Sequence, residues 1–185
     1  MKTRLRHVPS GCATAGILHE EGQLMSGDLI VTAIATMHER SNGLGGGFAG
    51  YGIYPEMKDY YAFHVLYDRE SNRQEVEEFL SNQMYLVRSE RINTRPTPRI
   101  GLAPVLWRYF LQVPEPARKT EPEEDYVVRV VMRINLEMPG AYVISSGKNM
   151  GVFKGVGYPE DIAEFFRLEE YKAYLWIAHA RFPTN

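Results

Sequence analysis

Cysteine is nearly missing from this chain: Cys12 stands alone among 185 residues. That excludes an internal disulfide framework and any metal or cluster site built on several cysteines. Long apolar runs are missing too. None approaches the ~20 residues needed to cross a bilayer, and Met1 to Gly11 holds Lys2, Arg4, Arg6 and His7 without the apolar stretch of a secretory signal. Neither sign of charge is in excess: 21 Lys and Arg against 23 Asp and Glu leave a net −2. Such a balance gives no electrostatic pull toward nucleic acid or an anionic membrane. Paired histidines at metal-binding spacing are missing as well, since His19-Glu20 and His38-Glu39 have no second histidine four residues on. A hydrophobic fraction of 44% is ordinary for a globular chain, and the length suffices for one domain with a real core. The expectation is a cytoplasmic protein of a reducing compartment that uses no metal and no cofactor.

What is present alternates between helical and extended patterns without a regular βαβ rhythm, which predicts a layered α+β domain with no repeat and no second domain. Ala13 to His19 reads as a short strand. Asp28 reads as the cap of a helix whose Ile30, Ala33, Ile34 and Met37 share one face and whose stop is Asn42-Gly43. Gly43 to Gly52 reads as a glycine-rich loop, and Tyr60 to Tyr67 as a strand holding His64 as a structural residue. Ser71-x-x-Gln74 predicts a capping box for a helix bearing Val76, Phe79, Leu80, Met84 and Val87.

Six of the eleven prolines fall between Arg91 and Pro122. Little regular structure is predicted there beyond a short helix over Val105 to Leu111. Tyr126 to Ile134, rich in β-branched residues, is predicted to be a strand, as are Ala141 to Ser145 and Met150 to Lys154. The acidic run Glu121, Glu123, Glu124 and Asp125 reads as a solvated loop. Pro159 opens a helix with Ile162, Phe165 and Phe166 on its buried face. Tyr174 to Ala180 is a final strand.

Gly45-x-Gly47-x-x-Gly50 fits the dinucleotide fingerprint only in form, because a helix precedes it and an extended segment follows. The glycines are better read as allowing close backbone approach to the strand after Cys12. Taken alone, a single cysteine such as Cys12 is more often a small buried hydrophobe than a nucleophile, and Arg181 is more simply one surface arginine ending a strand.

Taken together, the two ends of the chain say more. Gly11-Cys12-Ala-Thr-Ala-Gly16-Ile17 and the closing His179-Ala-Arg181-Phe182-Pro183-Thr184-Asn185 resemble the N-terminal-nucleophile (class II) glutamine amidotransferase domain, the glutamate synthase branch slightly better than the purine branch. That family opens on a catalytic cysteine followed by Gly-Ile or Gly-Phe and carries a His-x-Arg-aromatic-x-Thr segment that binds glutamine. Lys154-Gly155-Val156-Gly157 resembles the Lys-Gly-x-Gly run preceding that segment. Met37-His38-Glu39-Arg40 is more loosely similar to the family's His-Arg-Gly loop. Pro183 departs from the pattern by removing a backbone donor.

The resemblance implies a four-layer αββα sandwich in which Cys12 is the nucleophile of a glutaminase. Arg181, Thr184 and His179 would bind glutamine. An arginine suits that role because its planar fork clamps a carboxylate through two hydrogen bonds. Residues 1–11 would be a leader that must be removed, because the nucleophile's own α-amine is the base. Without removal another group, His19 or His179, would have to serve. Residues 12–185 would be the N-terminal part of one amidotransferase domain with an insertion over about 69–125.

The family's Asn-Gly oxyanion pair and an Asp for the glutamine amino group would lie beyond Asn185, so the fold is expected to be incomplete at its C-terminus. The expected partners are glutamine, the missing C-terminal half, and a synthase subunit or domain that accepts ammonia. The alternative is a non-catalytic remnant acting as an interaction module. Cys12 is expected at the start of a central strand, with Arg181 facing the same pocket. Tyr174 to Ala180 is expected as an open edge with apolar residues unpartnered on both sides.

Overall fold

The computed structural model describes residues 12–100 and 103–180. The chain is an α+β protein built on antiparallel sheets. The first sheet has the order β1-β10-β3-β8, from β1 (Thr14–Leu18), β10 (Leu175–His179), β3 (Gly46–Tyr51) and β8 (Met150–Gly155). The second has the order β5-β6-β4-β7, from β5 (Tyr85–Arg91), β6 (Val105–Gln112), β4 (Tyr61–Tyr67) and β7 (Ala141–Ser145). A two-stranded pair, β2 (Met25–Ser26) with β9 (Lys172–Ala173), completes the strands. The helices are α1 (Gly27–Ala35), α2 (Glu70–Gln83), the one-turn α3 (Glu115–Arg118), α4 (Glu123–Glu137) and α5 (Pro159–Phe166). Among the described residues no helix is long and apolar enough to cross a membrane.

Two apolar clusters hold these elements. One joins Ile30 and Ile34 of α1 and Ile162, Phe165 and Phe166 of α5 to Phe48, Phe153, Trp176 and Ala178 on one face of the first sheet. It also takes in Ala62, Leu106 and Phe110 from the second sheet. The other packs Val76 and Leu80 of α2 and Tyr126, Val127, Val130 and Ile134 of α4 against Phe63, Val65, Tyr67, Tyr109 and Leu111 on the far face of the second sheet. Trp176 is wholly buried, and its indole N–H donates to the Met25 carbonyl at 3.0 Å.

The strands from Ala13, Tyr60, Ala141 and Met150, and the helix opened by Pro159 at its first turn, stand within a residue or two of where the sequence puts them. Several expectations fail. Tyr126 to Ile134 is helix α4 rather than a strand. Its many β-branched residues favour extended backbone, but Tyr126, Val127, Val130 and Ile134 fall on one helical face that the second sheet buries, and tertiary burial outweighs propensity. Glu123, Glu124 and Asp125 form its first turn after Pro122, where acidic side chains meet the positive end of the helix dipole, and so are not a loop. Val105 to Leu111 is a strand, β6, between β5 and β4, rather than a helix.

Caps also differ from expectation. Ser26, not Asp28, caps α1, its Oγ accepting from the Asp28 amide at 3.3 Å. Helix α2 starts at Glu70 with no side-chain cap, so the Ser71 capping box does not form. The glycine-rich stretch is largely strand β3 rather than a loop. Its glycines do admit close neighbours, but these belong to β10 and β8, not β1: a Cβ on Gly50 would lie 2.9 Å from the Trp176 ring. With Gly45, Gly47 and Gly50 in and beside one strand and no helix following, the dinucleotide geometry is excluded.

Strand β10 is not an edge. It lies between β1 and β3, because the chain folds back to insert its last described strand beside its first. Among the described residues the edges of this sheet are β1 and β8, so Cys12 precedes an edge strand and not a central one.

Candidate cysteine site at the end of the first sheet

Cys12 is a free, exposed thiol, which removes the reading of it as a buried hydrophobe. The next residue is its anchor. Ala13 is buried in the core with Ala178 and Ala180, and its carbonyl accepts the amide of Ala180 at 3.0 Å. The two terminal motifs are therefore joined backbone to backbone. From there the register runs Thr14 opposite His179, His179 opposite Gly47, and Gly47 opposite Lys154. Directly paired residues point to the same face of a sheet. This row sets an exposed hydroxyl, a half-buried imidazole and an exposed ammonium across four strands, two residues along from the thiol. Gly47 leaves the middle of the row without a side chain, and a Cβ there would meet the Phe153 carbonyl at 2.7 Å and the Lys154 Cβ at 2.9 Å.

His179 thus stands beside the cysteine end of β1. His19 does not: it follows the opposite end of the strand, seven residues from Cys12, a span of roughly 20 Å in extended chain, and its amide donates to Tyr174. The base suggested at His19 is removed by that separation. Arg181, Thr184 and residues 1–11 lie outside the described residues. Next to the row, an apolar groove of about 510 Å³ is lined by Ala49, Leu66, Ile144, Val152, Val156 and Ile177.

A second constellation escaped the sequence reading. His64, wholly buried in β4, donates from Nδ1 to the Val152 carbonyl of β8 at 3.0 Å. Its Nε2 must then accept, so the Tyr54 hydroxyl donates to it at 2.6 Å. Arg108 Nη1 donates to that hydroxyl at 3.0 Å, and Arg108 Nε donates to Glu90 at 2.8 Å. Burial, aided by the Arg108 charge, lowers the His64 pKa to about 3, so the ring is neutral at pH 7. Burial pushes the Tyr54 hydroxyl well above its usual range. Burial also resists ionisation of Glu90, but hydrogen bonds and charge from Arg108 and Arg88 overcome it and hold that carboxyl below normal.

Each group in this chain has a partner, so it pins β8 to the second sheet and leaves no free acid or base. His64 was readable as structural from its strand. Arg108, Glu90 and Tyr54 are far apart in sequence and carried no local signal. Among the described residues no group of three or more His, Cys, Asp or Glu side chains stands ready to hold a metal ion. His38, in the loop that loosely matches His-Arg-Gly, stacks on Tyr158 at 4.4 Å and contacts Glu160 at 3.0 Å on the surface.

No protein-family model matches the chain. At 50% identity over 179 residues it is similar to an uncharacterized protein of Archaeoglobus fulgidus, a match covering 94% of this chain and 47% of that protein. The chain thus spans about half the length of the curated relative it matches.

Proposed function

We propose that this chain supplies the nucleophile and part of the glutamine site of a class II glutamine amidotransferase. The observation that carries the reading is the pairing of the two motif-bearing strands, which puts the exposed Cys12 thiol one residue from the Ala13–Ala180 hydrogen bond and brings His179 to the same sheet end. With residues 1–11 removed, the Cys12 α-amine takes the thiol proton. The thiolate then attacks the side-chain amide carbon of glutamine. The C–N bond breaks, ammonia leaves with that proton, and a γ-glutamyl thioester remains; water then cleaves the C–S bond to release glutamate. Arg181 binds the glutamine carboxylate, with Thr184 and His179 at its side.

The oxyanion donors come from another part of the amidotransferase, and losing one such donor costs about 10²–10³ in rate. Ammonia passes to a synthase domain or subunit. The finer architecture is the four-layer αββα sandwich, and the setting is the cytoplasm, where a lone thiol stays reduced. A second reading, a non-catalytic interaction module, draws on the apolar groove that lines the open face of the first sheet.

The test is covalent labelling by an electrophilic glutamine analogue, followed by intact mass and peptide mapping. Protein beginning at Cys12, with the other half supplied, should take up one analogue at Cys12 and release glutamate. Protein retaining Met1 to Gly11 should do neither. Labelling elsewhere, or turnover with the leader in place, would remove the N-terminal-nucleophile reading.

A further inference from the structure

The two faces of the first sheet are treated differently. One, with Ala15, Ile17, Phe48, Phe153, Trp176 and Ala178, is filled by α1 and α5. The other carries Leu18, Ala49, Val152, Leu175 and Ile177, by the pairing of Leu18 with Leu175, Gly16 with Ile177, Ile177 with Ala49 and Ala49 with Val152. None of these five belongs to either apolar core. Leu18 is 60% exposed and Ile177 40% exposed, although Ile177 sits on an internal strand with hydrogen-bonded neighbours on both sides. A strand interior with its apolar side chains open to water is costly unless something covers them. The surface continues into the 510 Å³ groove, whose wall includes Ile144 of the second sheet and Val156.

We infer that this face of the first sheet is the docking surface for a polypeptide layer of the kind that the longer archaeal relative holds outside its matched part. The relative's length points to that occupant. The fold described here answers to 47% of it, and the remaining polypeptide is as large as the part that carries the open face. A sheet face with one apolar row after another is matched by another sheet or helix layer, not by a small polar ligand. The inference rests on the amidotransferase reading only for the role it gives the docked layer: the surface ends at the row Thr14, His179, Gly47 and Lys154 beside Cys12, so whatever covers it also walls the cysteine site.

The probe is the unmatched part of the archaeal relative, produced as its own polypeptide and mixed with the full chain. Light scattering should report a one-to-one complex. Ile177→Glu and Leu18→Glu should each weaken it about tenfold or more, because a carboxylate buried at the seam has no partner. Met132→Glu, on the exposed side of α4, should leave it intact. Leu18 is exposed enough to be replaced without disturbing the fold, so its variant keeps the test decisive if Ile177→Glu lowers the melting temperature.

Absence of a complex, or a complex indifferent to both sheet variants, overturns the inference. So does a dimer of the chain alone that Ile177→Glu dissolves, since a second copy would then be the occupant. A complex that depends on Ile177 yet, when formed with protein beginning at Cys12, releases no glutamate upholds the docking surface and removes the glutaminase reading. Turnover without any complex does the reverse.

Discussion

The amide of Ala180 donates to the carbonyl of Ala13 at 3.0 Å, closing the first described strand onto the last. Both alanines are buried, 1% and 0% exposed, in the core that also holds Ile30, Ile34 and Trp176. That single bond marks where the exposed cysteine and the histidine-bearing strand meet, and its position follows from the register Thr14 to His179 through Leu18 to Leu175.

Ala180→Pro removes the donor and is expected to cost about 3 kcal/mol, with the lost bond and the ring clash both contributing. Urea unfolding measures it. The exposed thiol of Cys12 should react with iodoacetamide in the native protein nearly as fast as in the unfolded one; a strongly protected thiol would contradict its placement.

His64 gives the protein an acid-sensitive core. Its pKa is lowered from 6.5 to about 3 in the fold. Between those values the unfolded chain binds the extra proton, so stability rises with pH across this window and is lost as pH falls from 6.5 toward 3. From pH 7 to pH 5 this histidine should account for about 2 kcal/mol of lost stability. His64→Gln is expected to be less stable at pH 7 but to show a correspondingly flatter loss over that range in urea titrations. An unchanged slope would mean that His64 is not buried neutral.

Two glycines with positive φ separate backbone strain from crowding. Gly22, at φ +74°, has no neighbour within 4 Å of a would-be Cβ, while Gly52, at φ +78°, would place one 2.2 Å from the Tyr174 ring. Gly22→Ala should cost about 1 kcal/mol from conformation alone. Gly52→Ala should cost about 1–3 kcal/mol more, since the ring must move. Thermal melts of the two variants give the comparison.

Trp176 tests the first core. Trp176→Phe keeps most of the volume but strands the Met25 carbonyl, an expected loss of about 1–3 kcal/mol. Trp176→Ala opens a cavity against Gly50 and α1 and should cost about 3–5 kcal/mol. Near-equal effects would place the energy in the hydrogen bond and not in packing.

The local signals in the sequence were strongest where a single element decides its own conformation. Pro159 with Glu160 and Asp161 announces α5, and the aromatic and aliphatic run Tyr61 to Tyr67 announces β4, because fixed φ, helix dipole and strand-favouring side chains act within a few residues. The same signal, Pro122 before Glu123, Glu124 and Asp125, stands ahead of α4, but five β-branched residues follow it and favour extended backbone; burial against the second sheet is what decides there. The nearness of the two ends was legible only through the resemblance of their motifs. What tertiary structure alone decided is which strands are neighbours. It placed β10 between β1 and β3, joined Glu90, Arg108, Tyr54 and His64 into one chain, and left Ile177 facing water. Pairing of distant strands depends on the sum of contacts over the whole sheet, and no window of sequence contains that sum.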